Sequence, residues 1–290
     1  MRLVLALVWL LHWLPLPLLA AIGRGLGRLL WWLAGSRRSI ALRNLELCLP
    51  EMPEAERRAL ARDHFGWLGR SILERGVLWY ASEARLRRLI KVEGAVGYAD
   101  AHPEQPLMWL APHFLALDVA GAAVQLYIKR PGASIYQAQS NKVFDAAMKQ
   151  GRLRFGNAKI FARNETAKPL MRAVKEGMGF FNLPDMDFGA RDAAFVPFFG
   201  VPAATLLAPS RMARAMRMTV QPVIGEMLPG GRGYVVRFYE PFDHFPSADA
   251  EADTAWLNHW IENRVRGKPA QYLWVHKRFK TRPEGEPGLY

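Results

Sequence analysis

The feature that most constrains the fold is a five-residue apolar run, residues 107–111, which ends at Pro112 and is followed at once by His113. The length and composition of this run predict a buried β-strand, the proline ends it, and the residues after His113 favour a helix. A second apolar run, residues 177–183, leads into the polar loop 184–189 in the same way. Repeated strand, polar loop and helix is the pattern of an α/β domain, whose chemistry gathers beyond the carboxyl ends of its strands. The two loops are therefore expected to lie side by side.

His113 and Asp118, five positions apart, are the candidate catalytic residues. A carboxylate that accepts the proton of one imidazole nitrogen raises the basicity of the other, which can then deprotonate a hydroxyl. The sequence has no Gly-x-Ser-x-Gly motif and its single cysteine, Cys48, lies far away. Direct attack by an acceptor hydroxyl is therefore favoured over a covalent intermediate. The ordinary alternative is that His113 caps a helix and Asp118 is a polar surface residue.

Composition and charge indicate contact with lipid and with an anionic partner. Hydrophobic residues make up 51% of the 290 residues, with 10 Trp and 20 Pro, and the formal net charge is +13. Nucleic acid, anionic phospholipid, a phosphorylated sugar lipid and an acidic carrier protein would all satisfy this charge. A single cysteine excludes an internal disulfide and fits a reducing compartment.

Residues 3–22 are apolar apart from His12 and have about the length needed to cross a bilayer, which predicts an N-terminal membrane helix. Pro15 and Pro17 lie inside this run and would kink it or keep it at the interface, and a cleaved signal peptide is the other alternative. Four arginines follow within residues 24–38, which predicts that the remainder of the chain lies on the cytoplasmic side.

The chain is thus expected to divide at residue 35. Residues 1–35 predict a membrane anchor and interfacial segment, and residues 36–290 predict one α/β catalytic domain with a mixed sheet. Apolar residues at helical spacing predict the helices, and short apolar runs between turn residues predict the strands. The expected helices are 54–75, 141–154, 167–176 and 250–266, the expected strands are 133–137 and a hairpin of 220–226 with 234–239, and residues 197–205 are an expected loop.

Several short motifs are attributed to chance or to packing. Asp187-Phe-Gly189 matches the metal-binding triplet of protein kinases, but no His-Arg-Asp motif or phosphate loop accompanies it. Gly23-Arg-Gly-Leu-Gly27 lacks a preceding strand, so helix packing is favoured over dinucleotide binding. The seven histidines lack metal-ligand spacing, so neither a metal nor a cofactor is expected. Nucleic acid is disfavoured as a partner because no binding motif accompanies the basic charge.

Six blocks of the sequence together resemble the late acyltransferases of lipid A biosynthesis, the lauroyl and myristoyl transferases that complete the lipid anchor of lipopolysaccharide. The blocks are 43–50, 113–118, 151–154, 184–189, 196–200 and 271–283, and with the apolar N-terminus they cover nearly the whole chain. The resemblance implies a mixed-sheet domain of the glycerol-3-phosphate acyltransferase type with an N-terminal membrane helix. It also implies a cell inner membrane location, with the catalytic domain on the cytoplasmic side.

The implied reaction transfers an acyl chain from acyl carrier protein to the hydroxyl of a hydroxyacyl chain on a lipid A precursor. On this mapping His113 is the general base and Asp118 is the acid that orients it. Pocket depth would set the length of the transferred chain, and one or two side chains can change it.

Five further residues are expected to bind substrate. Arg152 and Asp185 match positions that the family uses at its active site, and Arg154, Arg163 and Asp187 are their neighbours. A guanidinium there could stabilise the oxyanion of a tetrahedral intermediate or hold a substrate phosphate. The alternative for each is an ordinary salt bridge.

Asp118 departs from the pattern, because most members of this family carry Glu at that position. Asp is the usual acid of the glycerolipid acyltransferases that share the spacing. A lysophospholipid O-acyltransferase using acyl carrier protein or coenzyme A thioesters is therefore the alternative enzyme. A non-catalytic lipid-binding protein is disfavoured because both His113 and Asp118 are present.

Overall fold

The computed structural model describes residues 1–163 and 167–290. Helices surround a central sheet, and a separate two-stranded hairpin lies beside it. The helices are α1 (Arg2–Leu11), α2 (Leu16–Leu33), α3 (Gly35–Cys48), α4 (Glu54–Tyr80), α5 (Glu83–Leu89), α6 (Tyr98–Ala101), α7 (Leu117–Tyr127), α8 (Lys142–Arg152), α9 (Lys168–Lys175), α10 (Ala208–Ala215) and α11 (Ala250–Gly267). The strands are β1 (Ile90–Gly94), β2 (Leu107–Leu110), β3 (Gly132–Tyr136), β4 (Ala158–Ala162), β5 (Gly179–Asn182), β6 (Ala193–Phe198), β7 (Val201–Leu206), β8 (Thr219–Met227) and β9 (Tyr234–Phe238).

The central sheet has seven strands in the order β1-β9-β8-β2-β5-β3-β4. Strand β2 lies in the middle and pairs in parallel with β5 on one side and β8 on the other. Its four residues are all buried, as the unbroken apolar run predicts. The β8–β9 pair is antiparallel, which confirms the predicted hairpin and makes the sheet mixed. The prediction of a mixed-sheet α/β domain is confirmed.

The loop predicted over residues 197–205 is instead most of an antiparallel hairpin, β6–β7. Pro197 and Pro202 face each other in its register, and proline in an apolar stretch argues against a strand except at an edge. Phe199 and Gly200 make the turn with positive φ angles of 51° and 77°. The Phe199 N–H donates to the Glu262 carboxylate on α11 at 2.7 Å, which fixes this strained residue.

The predicted N-terminal membrane helix is wrong. The apolar run is divided into the ten-residue α1 and the separate helix α2, with a break before Pro15, which is the N-cap of α2. Helix α2 also carries Arg24 and Arg28 and several glycines, which lower its apolar character. Across residues 1–163 and 167–290, no helix combines the length and the apolarity that crossing a bilayer requires.

Helices α1 and α2 pack against the long helix α4, and glycines make the close approach possible. A Cβ at Gly27 would collide with the Phe65 carbonyl, and one at Gly69 would collide with the backbone of α2. A side chain at Gly76 would meet Val8 of α1. Gly23 and Gly27 of α2 therefore serve helix packing, as predicted, whereas a Cβ at Gly25 would meet no atom within 4 Å.

A buried ion pair fixes α4 to the sheet. Arg70 donates to Glu74 through Nε at 2.5 Å, and its Nη1 donates to the Leu228 carbonyl at 2.9 Å. The Tyr234 hydroxyl of β9 donates to the same Glu74 at 2.8 Å. Removing one partner of a buried charge pair is costly. The Arg70–Glu74 pair therefore fixes the position of α4, including that of Arg75, which follows Glu74 in the sequence.

Candidate active site

His113 lies just after β2 and is held by the backbone on its carboxyl-terminal side. Pro112 precedes it and cannot donate to the strand ladder. The Leu273 N–H donates to the His113 carbonyl at 3.0 Å, and the Leu115 N–H donates to the Gln271 carbonyl at 2.8 Å. The C-terminal segment therefore runs alongside the turn that carries the histidine and fixes its position.

The side chain of His113 is bound by Asp185, which follows β5. Nδ1 lies 2.6 Å from Asp185 Oδ1, and the His113 backbone N–H donates to Oδ2 at 2.9 Å. Since an ionised carboxylate only accepts hydrogen bonds, Nδ1 carries the proton and Nε2 presents its lone pair. Within residues 1–163 and 167–290 no protein group bonds Nε2, and 15% of the side chain is exposed. The nitrogen that can take a proton is open to a ligand.

Asp185 is buried and ionised. Burial raises the pKa of its carboxyl, but the His113 contacts and the Tyr272 hydroxyl outweigh burial and hold the pKa below its usual range. The Tyr272 hydroxyl donates to Oδ2 at 2.9 Å. Burial, reinforced by the charge of Asp185, raises the pKa of Tyr272 well above its ordinary value, so it remains a donor. The hydrogen bond between His113 and Asp185 confirms that the loops after β2 and β5 lie side by side.

His276 is a second histidine near this pair. Burial, with the charges of His113 and Arg278, lowers the pKa of His276 to about 4, so its ring is neutral near neutral pH. Its Nε2 accepts from the Asp187 N–H at 3.2 Å. A neutral His276 adds no charge beside His113.

Asp118 does not contact His113 among the described hydrogen bonds, contrary to the predicted pairing, because Asp185 already occupies Nδ1. Asp118 binds two arginines instead. Arg152 donates to Oδ1 through Nη2 at 2.7 Å and through Nε at 3.0 Å. Arg75 donates to Oδ2 through Nε at 2.9 Å. We call these three residues the Asp118 clamp.

The Asp118 clamp is a carboxylate with two cations. Burial raises the pKa of Asp118, but the charges of Arg152 and Arg75 outweigh it and lower the pKa to about 2. In the described part of the chain, Nη1 of Arg152 and both Nη atoms of Arg75 lack a protein acceptor. The carboxylate thus orients two guanidinium groups that can still donate to an anion.

The other three predicted substrate-binding residues lie apart from the Asp118 clamp. Arg154 donates to carbonyls at the end of α4, which is an ordinary helix-terminus contact. Arg163 is exposed, and its guanidinium lies 3.8 Å from the centre of the Phe188 ring. Asp187 accepts from the N–H and the hydroxyl of Thr281 at 2.6 Å and 2.8 Å. Their role in binding substrate stays a prediction.

Three residues of the site were not singled out from the sequence. Tyr272 and His276 belong to the block 271–283, whose basic and aromatic composition was noted, and the individual side chains could have been found there. Arg75 comes from α4, 43 positions before Asp118, and no local signal marks it.

A cavity of about 100 Å³ opens beside the Asp118 clamp, bounded by α7, α8 and strands β3, β4 and β5. Asp118 and Arg152 contribute to its lining, and so does Leu183, two residues before Asp185. Its walls include the apolar side chains of Trp79, Phe155, Ile160 and Phe181. The cavity suits a hydrocarbon chain whose polar end lies near Asp118.

Comparison with known proteins identifies relatives along nearly the whole chain. The family described as bacterial lipid A biosynthesis acyltransferase matches residues 1–281. A lipid A biosynthesis lauroyltransferase of Escherichia coli (strain K12) is 35% identical over 288 residues, covering 99% of this chain and 93% of the relative. A lipid A biosynthesis acyltransferase of Haemophilus influenzae is 34% identical, covering 96% and 89%. A lipid A biosynthesis palmitoleoyltransferase of Escherichia coli (strain K12) is 32% identical, covering 99% and 92%.

Proposed function

Because the chain belongs to the bacterial lipid A biosynthesis acyltransferase family, we propose that it transfers a fatty acyl chain from acyl carrier protein to a hydroxyl of a lipid A precursor. Family membership makes the chain an O-acyltransferase of lipopolysaccharide synthesis. The donor, the residue roles and the membrane attachment are our proposal. The observation that carries it is His113, whose Nδ1 is bonded to a buried carboxylate and whose Nε2 has no protein partner among the described residues.

In the proposed reaction, Nε2 of His113 takes the proton of the acceptor hydroxyl while the hydroxyl oxygen attacks the thioester carbonyl. A carbon–oxygen bond forms and gives a tetrahedral intermediate. Its carbon–sulfur bond then breaks, and His113 returns the proton to the leaving thiolate. Asp185 keeps the ring in the required tautomer and balances its positive charge while the proton is on it.

The two arginines of the Asp118 clamp supply the positive charge that would bind an anionic group of the substrate or the intermediate. Among the described residues, Arg152 and Arg75 keep N–H groups without a protein acceptor, and Asp118 sets their orientation. Such donors can stabilise the oxyanion of the tetrahedral intermediate or hold a phosphate of the acceptor. In this proposal Asp118 is a positioning residue, and the carboxylate that orients the base is Asp185.

Exposed basic side chains, one of which lines the cavity, support an acidic carrier as the acyl donor. Lys142 begins α8, Lys159 lies on β4, and Arg163 follows that strand, and all three are exposed. The net charge of +13 has the sign that attracts acyl carrier protein. The acyl chain would enter the cavity from this side.

We propose that residues 1–35 attach the enzyme to the cytoplasmic face of the inner membrane, with residues 36–290 as the catalytic domain. Large apolar side chains stand exposed on and beside α1 and α2: Trp13 is 67% exposed, Trp32 is 73% exposed and Leu33 is 72% exposed. Arg28 is exposed in the same segment, and Arg37 is exposed just after it. Exposed tryptophan and leucine beside arginine suit an interface with anionic lipid headgroups.

The test is transfer of labelled acyl groups from acyl carrier protein by the purified protein. A lipid A precursor that lacks secondary acyl chains and lysophosphatidic acid are offered in parallel. We expect product on the lipid A precursor. His113→Ala should reduce the rate by at least about 100-fold, because the general base is removed.

His102→Ala is the matched control, because this histidine is exposed and stacks on Tyr98. Its rate should equal that of the wild type. Transfer that persists in His113→Ala would overturn the proposed role of this histidine. Product on lysophosphatidic acid alone would overturn the proposed acceptor.

A further inference from the structure

Three glycines line the cavity beside the Asp118 clamp, and they differ in the space around them. A Cβ at Gly151 would collide with the indole ring of Trp79, and one at Gly132 would make ordinary contact with Trp109. A Cβ at Gly121 would meet no atom within 4 Å. Gly151 is therefore a packing glycine, whereas Gly121 leaves open space in the cavity wall.

Helix α7 places Gly121 partway along the cavity. Asp118, Gly121 and Gln125 all line it, and residues three or four apart share one face of a helix. At about 1.5 Å of rise per residue, Gly121 lies about 4.5 Å along the axis from Asp118, and Gln125 lies about 10 Å along it. The polar end of the cavity is at Asp118, so Gly121 borders the path of any chain that extends beyond it.

The part of this face farther from Asp118, at Gln125, is fixed by hydrogen bonds. The Gln125 amide donates to the Gly121 carbonyl at 3.2 Å and to the Arg152 carbonyl at 2.9 Å. The first bond lies within α7, and the second ties α7 to the end of α8. The helix cannot readily move away to make room for a larger side chain at position 121.

We propose that Gly121 determines the length of acyl chain that the enzyme transfers. The proposal deepens the proposed function and rests on it. With glycine at this position, the hydrocarbon passes α7 into the deeper part of the cavity. A larger side chain would occupy that space and exclude the distal methylene groups of the substrate.

The expected selectivity follows from the free energy gained when one methylene group is buried in an apolar pocket. Each methylene that loses its place in an apolar pocket weakens binding about fourfold. A leucine side chain at position 121 should displace two or more methylene groups, which gives a loss of about 10-fold or more for long chains. Short chains that end before Gly121 should be little affected.

The test is competition among acyl carrier proteins loaded with saturated chains from octanoyl to palmitoyl, with products on the lipid A precursor resolved by mass spectrometry. Gly121→Leu should move the preferred length down by at least two carbons, and Gly121→Ala should give a smaller shift in the same direction. Gly267→Leu is the matched control, since this glycine is also exposed to open space in a helix and lies outside the cavity. Its product profile should equal that of the wild type.

An unchanged profile in Gly121→Leu, or an equal loss for every chain length, would overturn the assignment. If Gly121→Leu is too unstable to assay, the profile of Gly121→Ala decides the question by the same criterion. If the wild type transfers acyl chains but the preferred chain length of the Gly121 variants is unchanged, only the role of Gly121 is overturned. Absence of transfer by the wild type overturns the proposed function, and this assignment with it.

Discussion

Asp118 and Asp185 are the same residue type near one end of the sheet, yet they have opposite surroundings. Asp185 is fully buried and binds a histidine, a tyrosine hydroxyl and a backbone N–H. Asp118 is partly exposed and binds two arginines. One carboxylate therefore sets the tautomer of a base, and the other fixes the direction of two cations.

The comparison shows that spacing in the sequence does not determine which acid meets His113. Asp118 is five residues away but lies on the first turn of α7, where it faces α4 and α8. Asp185 is 72 residues away but follows the strand that pairs directly with β2. Adjacent parallel strands bring their following loops together regardless of the distance along the chain.

The largest effect on transfer should come from Asp185→Asn. The amide preserves the shape but can no longer impose the required tautomer or balance the imidazolium, so kcat should fall by about 100-fold or more with little change in KM. Steady-state kinetics with acyl carrier protein substrates would measure this. A fall of less than tenfold would mean that Asp185 is a structural residue.

Asp118→Asn should have a smaller effect of a different kind. Both arginines remain, but the neutral amide holds them less firmly, so we expect about a tenfold loss in kcat/KM with a substantial part in KM. Arg75→Lys tests the same cluster, because lysine keeps the charge and loses the directed guanidinium. If Asp118→Asn lowers kcat more than Asp185→Asn does, the roles assigned to the two carboxylates are reversed.

The smallest effect concerns folding stability at low pH. The buried histidines and the Asp118 clamp should lose their contributions to stability in different pH ranges. His64 is fully buried, and burial lowers its pKa to about 4, below the value of about 6.5 of an unfolded chain. The unfolded state therefore binds the proton first, and stability is lost as the pH falls from about 6.5 towards 4. The ionised form of Asp118, with a pKa of about 2, contributes stability that is lost only as the pH falls from about 4 through 2.

Between pH 7 and pH 6, His64 should account for a loss of less than about 1 kcal/mol in the free energy of unfolding. Urea denaturation of the wild type and of His64→Gln at both pH values would measure it, and the variant should lose less. His276, whose pKa burial also lowers to about 4, should supply part of the loss that remains. If the wild type and His64→Gln lose the same free energy of unfolding between pH 7 and pH 6, His64 does not contribute to this loss.

Much of the sheet could be predicted from the sequence because its strands are distinctive locally. The run at 107–111 is wholly apolar and ends at a proline, and the structure has β2 at Leu107–Leu110. The hairpin β8–β9 was equally clear from the turn at 229–231. The hairpin β6–β7 was missed because Pro197 and Pro202 argue against strands, and its stability depends on α11.

The site could be predicted only in part. His113 and the loop with Asp185 were identified because each follows a strand. Their hydrogen bond and the contribution of Arg75 depend on how distant segments pack, which no local pattern encodes. The N-terminal run misled because its apolar length was taken as one helix, whereas the chain breaks before Pro15 and divides the run between α1 and α2.

The close packing of α2 on α4 changes how the first 35 residues should be regarded. Gly69, where α2 touches α4 backbone to backbone, and Arg75 lie six residues apart on one helix, or about 9 Å along its axis. Leu19 and Trp31 of α2 are buried in the interior of the protein. The N-terminal segment thus supports the helix that carries the proposed active site residue Arg75, and removing that segment would be expected to displace Arg75.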